Sequence, residues 1–186
     1  NAQMTAEPLI PGALSLGQLR RLCAPERPQV KLDPDCRPGM RASAELVRRA
    51  TDGDQPVYGV NTGFGKLATQ RIARDDLALL QLKLLRSHAV GVGEPLSERV
   101  VRLILLLKAA SLARGYSGVR EDVVDGLLAL HNCGVIPVIP SQGSVGASGD
   151  LAPLAHLCLP LIGEGAACFQ GEHMPGGQAM QRAGLQ

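Results

Sequence analysis

The chain has 186 residues, 45% of them hydrophobic and 19% charged, with a formal net charge of +2; this describes a folded domain with a sizeable core and excludes a disordered chain. The charges are too evenly balanced, and too free of basic stripes interleaved with aromatics, to argue for a nucleic-acid partner. With two Tyr, two Phe and no Trp, the core has to be built from Leu, Val, Ile and Ala, which favours packed helices.

Residues 15–24 read as a short helix, opened by an S-x-x-Q capping box of Ser15 and Gln18, with Leu16, Leu19 and Leu22 on its apolar side. Residues 25–39, rich in Pro and Asp, read as a loop. A second helix is predicted over about 40–51, with Glu45 and Arg49 at i,i+4 and Gly53 ending it. Residues 56–70 have a short strand-like start and then three glycines, a composition that suits a loop. From Asp75 to about Val90 a helix resumes, with Leu77, Leu80, Leu84 and Leu85 in period; Gly91 and Gly93 close it. Ser97 opens the next helix, to Arg114, and another runs from about Arg120 to Cys133. Val135–Pro140 cannot be helical, because two prolines break it. Asp150 can cap a helix reaching Ile162, with Pro160 kinking or ending it. Residues 166–174 suggest a hairpin around Gln170-Gly171, and a last helix begins near Gln178.

The helices at 97–114 and 120–133 are apolar on more than one side. Val100, Leu103, Ile104 and Leu107 mark the first; Val123, Val124, Leu127, Leu128 and Leu130 mark the second. They call for further partners, and residues 1–186 read as the N-terminal domain of a longer helical protein. The five cysteines form no C-x-x-C and no metal spacing with a histidine, so reduced thiols in the cytoplasm are expected, with no metal. Arg102 and Lys108 interrupt the longest apolar stretch, which is too short and too charged to span a bilayer.

The run Gly143-Ser-Val-Gly-Ala-Ser-Gly-Asp-Leu-Ala-Pro-Leu-Ala-His156 carries the chemistry. If the backbone bends tightly, the amide nitrogen of Gly149 can attack the carbonyl carbon of Ala147 and close a five-membered ring. Loss of two waters then leaves a methylidene-imidazolone whose exocyclic carbon comes from Ser148. Gly149 keeps its nitrogen unobstructed, Ser148 supplies a hydroxyl that leaves, and Ala147 is small enough for the turn to close. Asp150 either assists proton transfers or caps the following helix. Such a group is a strong electrophile, a capability normally borrowed from a cofactor. The competing reading is an anion-binding turn before a helix, although the run lacks the spacing of a Walker or dinucleotide motif and is not a nucleophile elbow.

This segment resembles the signature of the histidine, phenylalanine and tyrosine ammonia-lyases. The resemblance extends in order to Tyr58–Leu67, Ser87–Gly93 and Ser111–Gly118, nearly the whole chain. It implies a mainly α fold, the N-terminal segment of a large helical-bundle lyase, with short irregular β pieces near 56–60 and 166–174. It also implies a 4-methylidene-imidazol-5-one formed from Ala147, Ser148 and Gly149, with Asp150 taking part in its formation, and no external cofactor. On the same basis Tyr58 is the base that removes the substrate's β-proton. A free phenol near pKa 10 is a poor base, so its surroundings would have to tune it. Without the resemblance, Tyr58 would read as a packing residue and His88 as a capping histidine on a helix C-terminus.

With it, Ser87-His88 looks like the histidine-specific version of the substrate-binding position. An imidazole can exchange a hydrogen bond with an imidazole, whereas an apolar pocket would strand the substrate's nitrogens. The expected reaction is L-histidine to urocanate and ammonia, by a homotetramer whose remaining site residues lie outside this chain, so the chain alone is expected to be inactive. A tyrosine- or phenylalanine-specific lyase or an aminomutase of the same family, a non-catalytic assembly module and an anion-binding domain are the alternatives. His131, His156 and His173 lack comparable support, and packing is the expected role of His156.

Overall fold

The computed structural model describes residues 6–26, 28–145 and 149–185. In chain order the elements are β1 (Glu7–Leu9), α1 (Leu16–Leu22), β2 (Val30–Leu32), α2 (Arg37–Asp52), α3 (Arg74–His88), β3 (Val92–Pro95), α4 (Glu98–Leu112), α5 (Glu121–Cys133), β4 (Ile136–Pro137), β5 (Pro140–Gln142), α6 (Leu151–Cys158), β6 (Ala166–Phe169), β7 (Glu172–Pro175) and α7 (Gly176–Arg182). The architecture is mainly α, as the sequence implies. Short 3-10 turns stand at Pro34–Cys36, Gly65–Leu67 and Leu159–Ile162, the last where Pro160 ends the α6 geometry.

The core is the α4–α5 pair. Val101, Leu105, Leu106 and Ala109 of α4 pack with Val124, Leu127 and Leu130 of α5, all fully buried. Val100 and Leu107, two of the apolar residues that call for further partners, are 41% and 45% exposed, while Leu103 and Ile104 are half-buried. The helix is apolar nearly all round, so periodicity does not choose between its faces. Gly134 ends α5 in the left-handed conformation at φ 72°.

α1 carries half of the expected capping box. Gln18 N donates to Ser15 Oγ at 3.1 Å, but the Gln18 side chain donates its Nε2 to Pro8 O and no bond from the Ser15 amide to it completes the box. The expected 25–39 loop contains β2 and the start of α2. Val30 and Leu32 are buried and Lys31 exposed, and β2 pairs in parallel with β1. A three-residue strand whose partner lies beyond an intervening helix leaves almost no local signal. On its other edge β2 meets a side chain, since Asn132 bonds both the Val30 amide (2.9 Å) and the Val30 carbonyl (2.8 Å).

The 166–174 hairpin forms as read, with Gln170 and Gly171 at φ 52° and 83°, and β4 extends it to three antiparallel strands. No strand forms at 56–60, where Tyr58, Gly59 and Val60 make a turn. The bridge in this region falls two residues later, between Thr62 and Arg71. β3 and β5 pair antiparallel, Val92 with Gln142 and Pro95 with Pro140, which joins the segment after α3 to the segment before Gly143. No helix among the described residues is long and apolar enough to cross a membrane.

Candidate active site

α3 and α6 present matching stripes to one cleft. Gln81, Leu84, Leu85 and His88 stand at i, i+3, i+4 and i+7 on α3; Leu151, Leu154, Ala155 and Cys158 do the same on α6. Tyr58 and Phe64 from the 56–65 loop and Lys108 from α4 complete a cleft of about 720 Å³. Leu84 and Leu85, two of the leucines in helical period on this segment, are half-buried wall residues. Two of the residues singled out in the sequence, Tyr58 and His88, meet here from segments thirty positions apart.

The loop bearing Tyr58 is shaped by Asn61, a buried side chain that sequence reasoning overlooked. Its Nδ2 donates to Ala50 O (3.1 Å) and Gln55 O (2.9 Å), and its Oδ1 accepts from Val57 N at 2.7 Å. Three bonds to backbone from one buried amide hold the turn that starts at Val57. Gly59 takes φ 74° within that turn. Tyr58 itself is 64% exposed and meets Phe64 edge to face, with centroids 5.8 Å apart.

His88 is the last residue of α3. Its Nδ1 lies 2.7 Å from Leu84 O, and a carbonyl can only accept, so Nδ1 carries the proton. In the neutral ring Nε2 is then an acceptor. Lys108 brings positive charge to the cleft, where the anionic end of a small ligand is favoured. Burial pushes the Cys158 thiol up, partly offset by Lys108, so it is protonated at neutral pH and a poor nucleophile. In the sequence Lys108 stands out only as a charge that interrupts an apolar stretch, and Arg102 does the same yet is buried, so that signal alone does not place Lys108 in a cleft.

Ala147 and Ser148 lie outside the described residues. Gly149 adopts φ 102°, and nothing stands within 4 Å of where a Cβ would be. This is backbone that L side chains rarely adopt, with open space beside it. Asp150 precedes α6 but its carboxylate makes no capping bond; it takes the Ser144 hydroxyl instead. Leu151, the next residue, already lines the cleft.

Residues 14–186 match the family model for aromatic amino acid lyases. The chain belongs to the aromatic amino acid lyase family. It is 55% identical over 177 residues to the histidine ammonia-lyase of Rhodospirillum rubrum, covering 95% of this chain and 34% of that protein. Among solved structures it resembles the ergothioneine-degrading ergothionase of Treponema denticola, at TM-score 0.92 and 31% identity over 98% of this chain and 36% of that one. It also resembles histidine ammonia-lyase from Trypanosoma cruzi, at TM-score 0.87 and 32% identity over 96% of this chain and 34% of that one. The chain thus spans about a third of the length of these lyases. Within this lyase chain the five cysteines are free thiols, and no metal-binding cluster of His, Cys, Asp or Glu occurs among the described residues.

Proposed function

We propose that the protein carrying this chain eliminates ammonia from L-histidine to give trans-urocanate, using a methylidene-imidazolone built from Ala147, Ser148 and Gly149. The observation that carries this reading is the common cleft of Tyr58 and His88, whose α6 wall begins two residues after Gly149. The identity to histidine ammonia-lyases supports the choice of substrate.

When formed, the prosthetic group supplies an electrophile that turns the substrate's amine into a better leaving group, which no ordinary side chain provides. The remaining work falls to this chain's side chains. His88 Nε2 accepts the substrate's ring N–H and so sets the imidazole against α3. Lys108 attracts the carboxylate end. The apolar stripes of α3 and α6 keep water from the substrate's side chain. Tyr58 takes the β-proton, and as the Cα–Cβ double bond forms the nitrogen departs as ammonia. Asp150, tied to Ser144, stands beside Gly149 to relay protons during ring formation. Free thiols favour a cytoplasmic setting. Residues supplied by sequence beyond this chain, and by neighbouring subunits of a homotetramer, complete the site, so the 186-residue chain alone is expected to be inactive.

Full-length protein given L-histidine or L-tyrosine, with urocanate and ammonia followed separately, tests this. Histidine is expected to be the substrate turned over, and Ser148→Ala is expected to reduce ammonia release to background. Preference for tyrosine would refute the substrate. An active Ser148→Ala variant would refute the electrophile.

A further inference from the structure

His156 lies on α6 and does not line the cleft, yet it is joined to the segment that bears His88. Its Nε2 accepts a hydrogen bond from the Gly91 amide at 3.0 Å, across 65 positions of sequence. Gly91 follows His88 by three residues, through a turn in which Val90 N donates to His88 O at 2.9 Å. The junction has no slack. A Cβ on Gly91 would stand 3.2 Å from His156 Nε2 and 3.2 Å from Pro140 Cβ, and one on Gly143 would stand 3.1 Å from Gly91 Cα. The segment after α3, the segment leading into Gly143, and α6 therefore converge on one glycine.

We propose that His156 is a positioning residue of this enzyme: by accepting the Gly91 amide it fixes His88 relative to the helix that follows the ring-forming tripeptide. The inference rests on the lyase reading above. An acceptor is favoured here, because a partly buried amide left without one loses the bond it would otherwise make. Burial pulls His156 below the ordinary histidine range, which keeps the ring neutral and Nε2 a lone-pair site, with the proton on Nδ1. Its effect is transmitted through backbone, so it acts on where the substrate's imidazole sits and not on proton removal. The loss should appear in KM more than in kcat.

Three variants of the full-length enzyme decide it. His156→Phe keeps a ring and removes the acceptor. His156→Asn is polar but too short to reach Gly91, and serves if the phenylalanine variant does not fold. His156→Gln can return a carbonyl oxygen to the same place. The expected result is that Phe and Asn raise KM for histidine about tenfold with kcat changed less than about twofold. The same two variants speed amide exchange across residues 89–93, and Gln restores both properties. Unchanged KM or unchanged exchange in both deficient variants overturns the proposal, as does a fall in kcat alone or a Gln variant that behaves like Phe. If the wild type turns over tyrosine and not histidine, the substrate reading fails by itself, and the exchange rates still decide whether His156 holds the segment.

Discussion

With the Nδ1 proton directed to Leu84 O, Nδ1 to oxygen 2.7 Å, the nitrogen the neutral His88 ring offers a ligand is the acceptor Nε2. A substrate with a ring N–H satisfies that nitrogen, and a hydrocarbon ring leaves it bare. His88→Leu in the full-length enzyme is therefore expected to lower kcat/KM for histidine about 10- to 100-fold, read from steady-state urocanate formation. Equal activity would show that this imidazole does not recognise the substrate. At this scale the proposed roles of Tyr58 and His88 come from the resemblance, since a tyrosine before glycines and a histidine at a helix end have ordinary structural uses; the structure adds that both line one cleft. Asn61 and His156 were not legible as site-building residues. Their importance lies in bonds to backbone at Ala50, Gln55 and Gly91, and sequence pattern carries no information about which distant amides need partners.

The helices were legible to within a few residues because their starts and breakers are local: Ser15, Gly53, Gly134 and Pro160 act where expected, and Ser97 precedes α4 although its side chain makes no capping bond. The short strands were less so, since β1 with β2 and β3 with β5 are held by partners far along the chain. How elements meet adds two predictions. Gly115, between α4 and α5, has φ 77°, and a Cβ there would sit 2.8 Å from the Gly39 carbonyl carbon at the start of α2. Gly115→Ala is expected to destabilise by about 3 kcal/mol, combining backbone strain and overpacking. Gly171→Ala, at φ 83° with nothing within 4 Å, should cost about 1 kcal/mol. Denaturant melts compare the two, and equal losses would mean that α2 gives way.

The second concerns His131, fully buried on α5, where burial and then the adjacent Arg102 pull its pKa down to about 4. The unfolded chain binds this proton more readily than the folded one. The stabilising contribution is therefore whole above about pH 6.5 and is lost as pH falls toward 4, a difference of roughly 3 kcal/mol. His131→Gln should flatten the decline of the unfolding midpoint across that window; a decline as steep as wild type would place the acid sensitivity elsewhere.

At the scale of the whole molecule, the second apolar face of α4 gains meaning. Val100 and Leu107 stay largely exposed while the opposite stripe is fully buried, and the related lyases are about three times as long. A helix apolar on two sides fits a larger helical assembly better than a finished surface. The reading as a whole depends on the backbone between Gly143 and Asp150 becoming a ring. The decisive measurement is the mass of the peptide spanning that segment, taken from active full-length enzyme. The expected result is a deficit of two waters, on the order of 36 Da, abolished in Ser148→Ala. An unmodified mass in enzyme that still releases ammonia would contradict it.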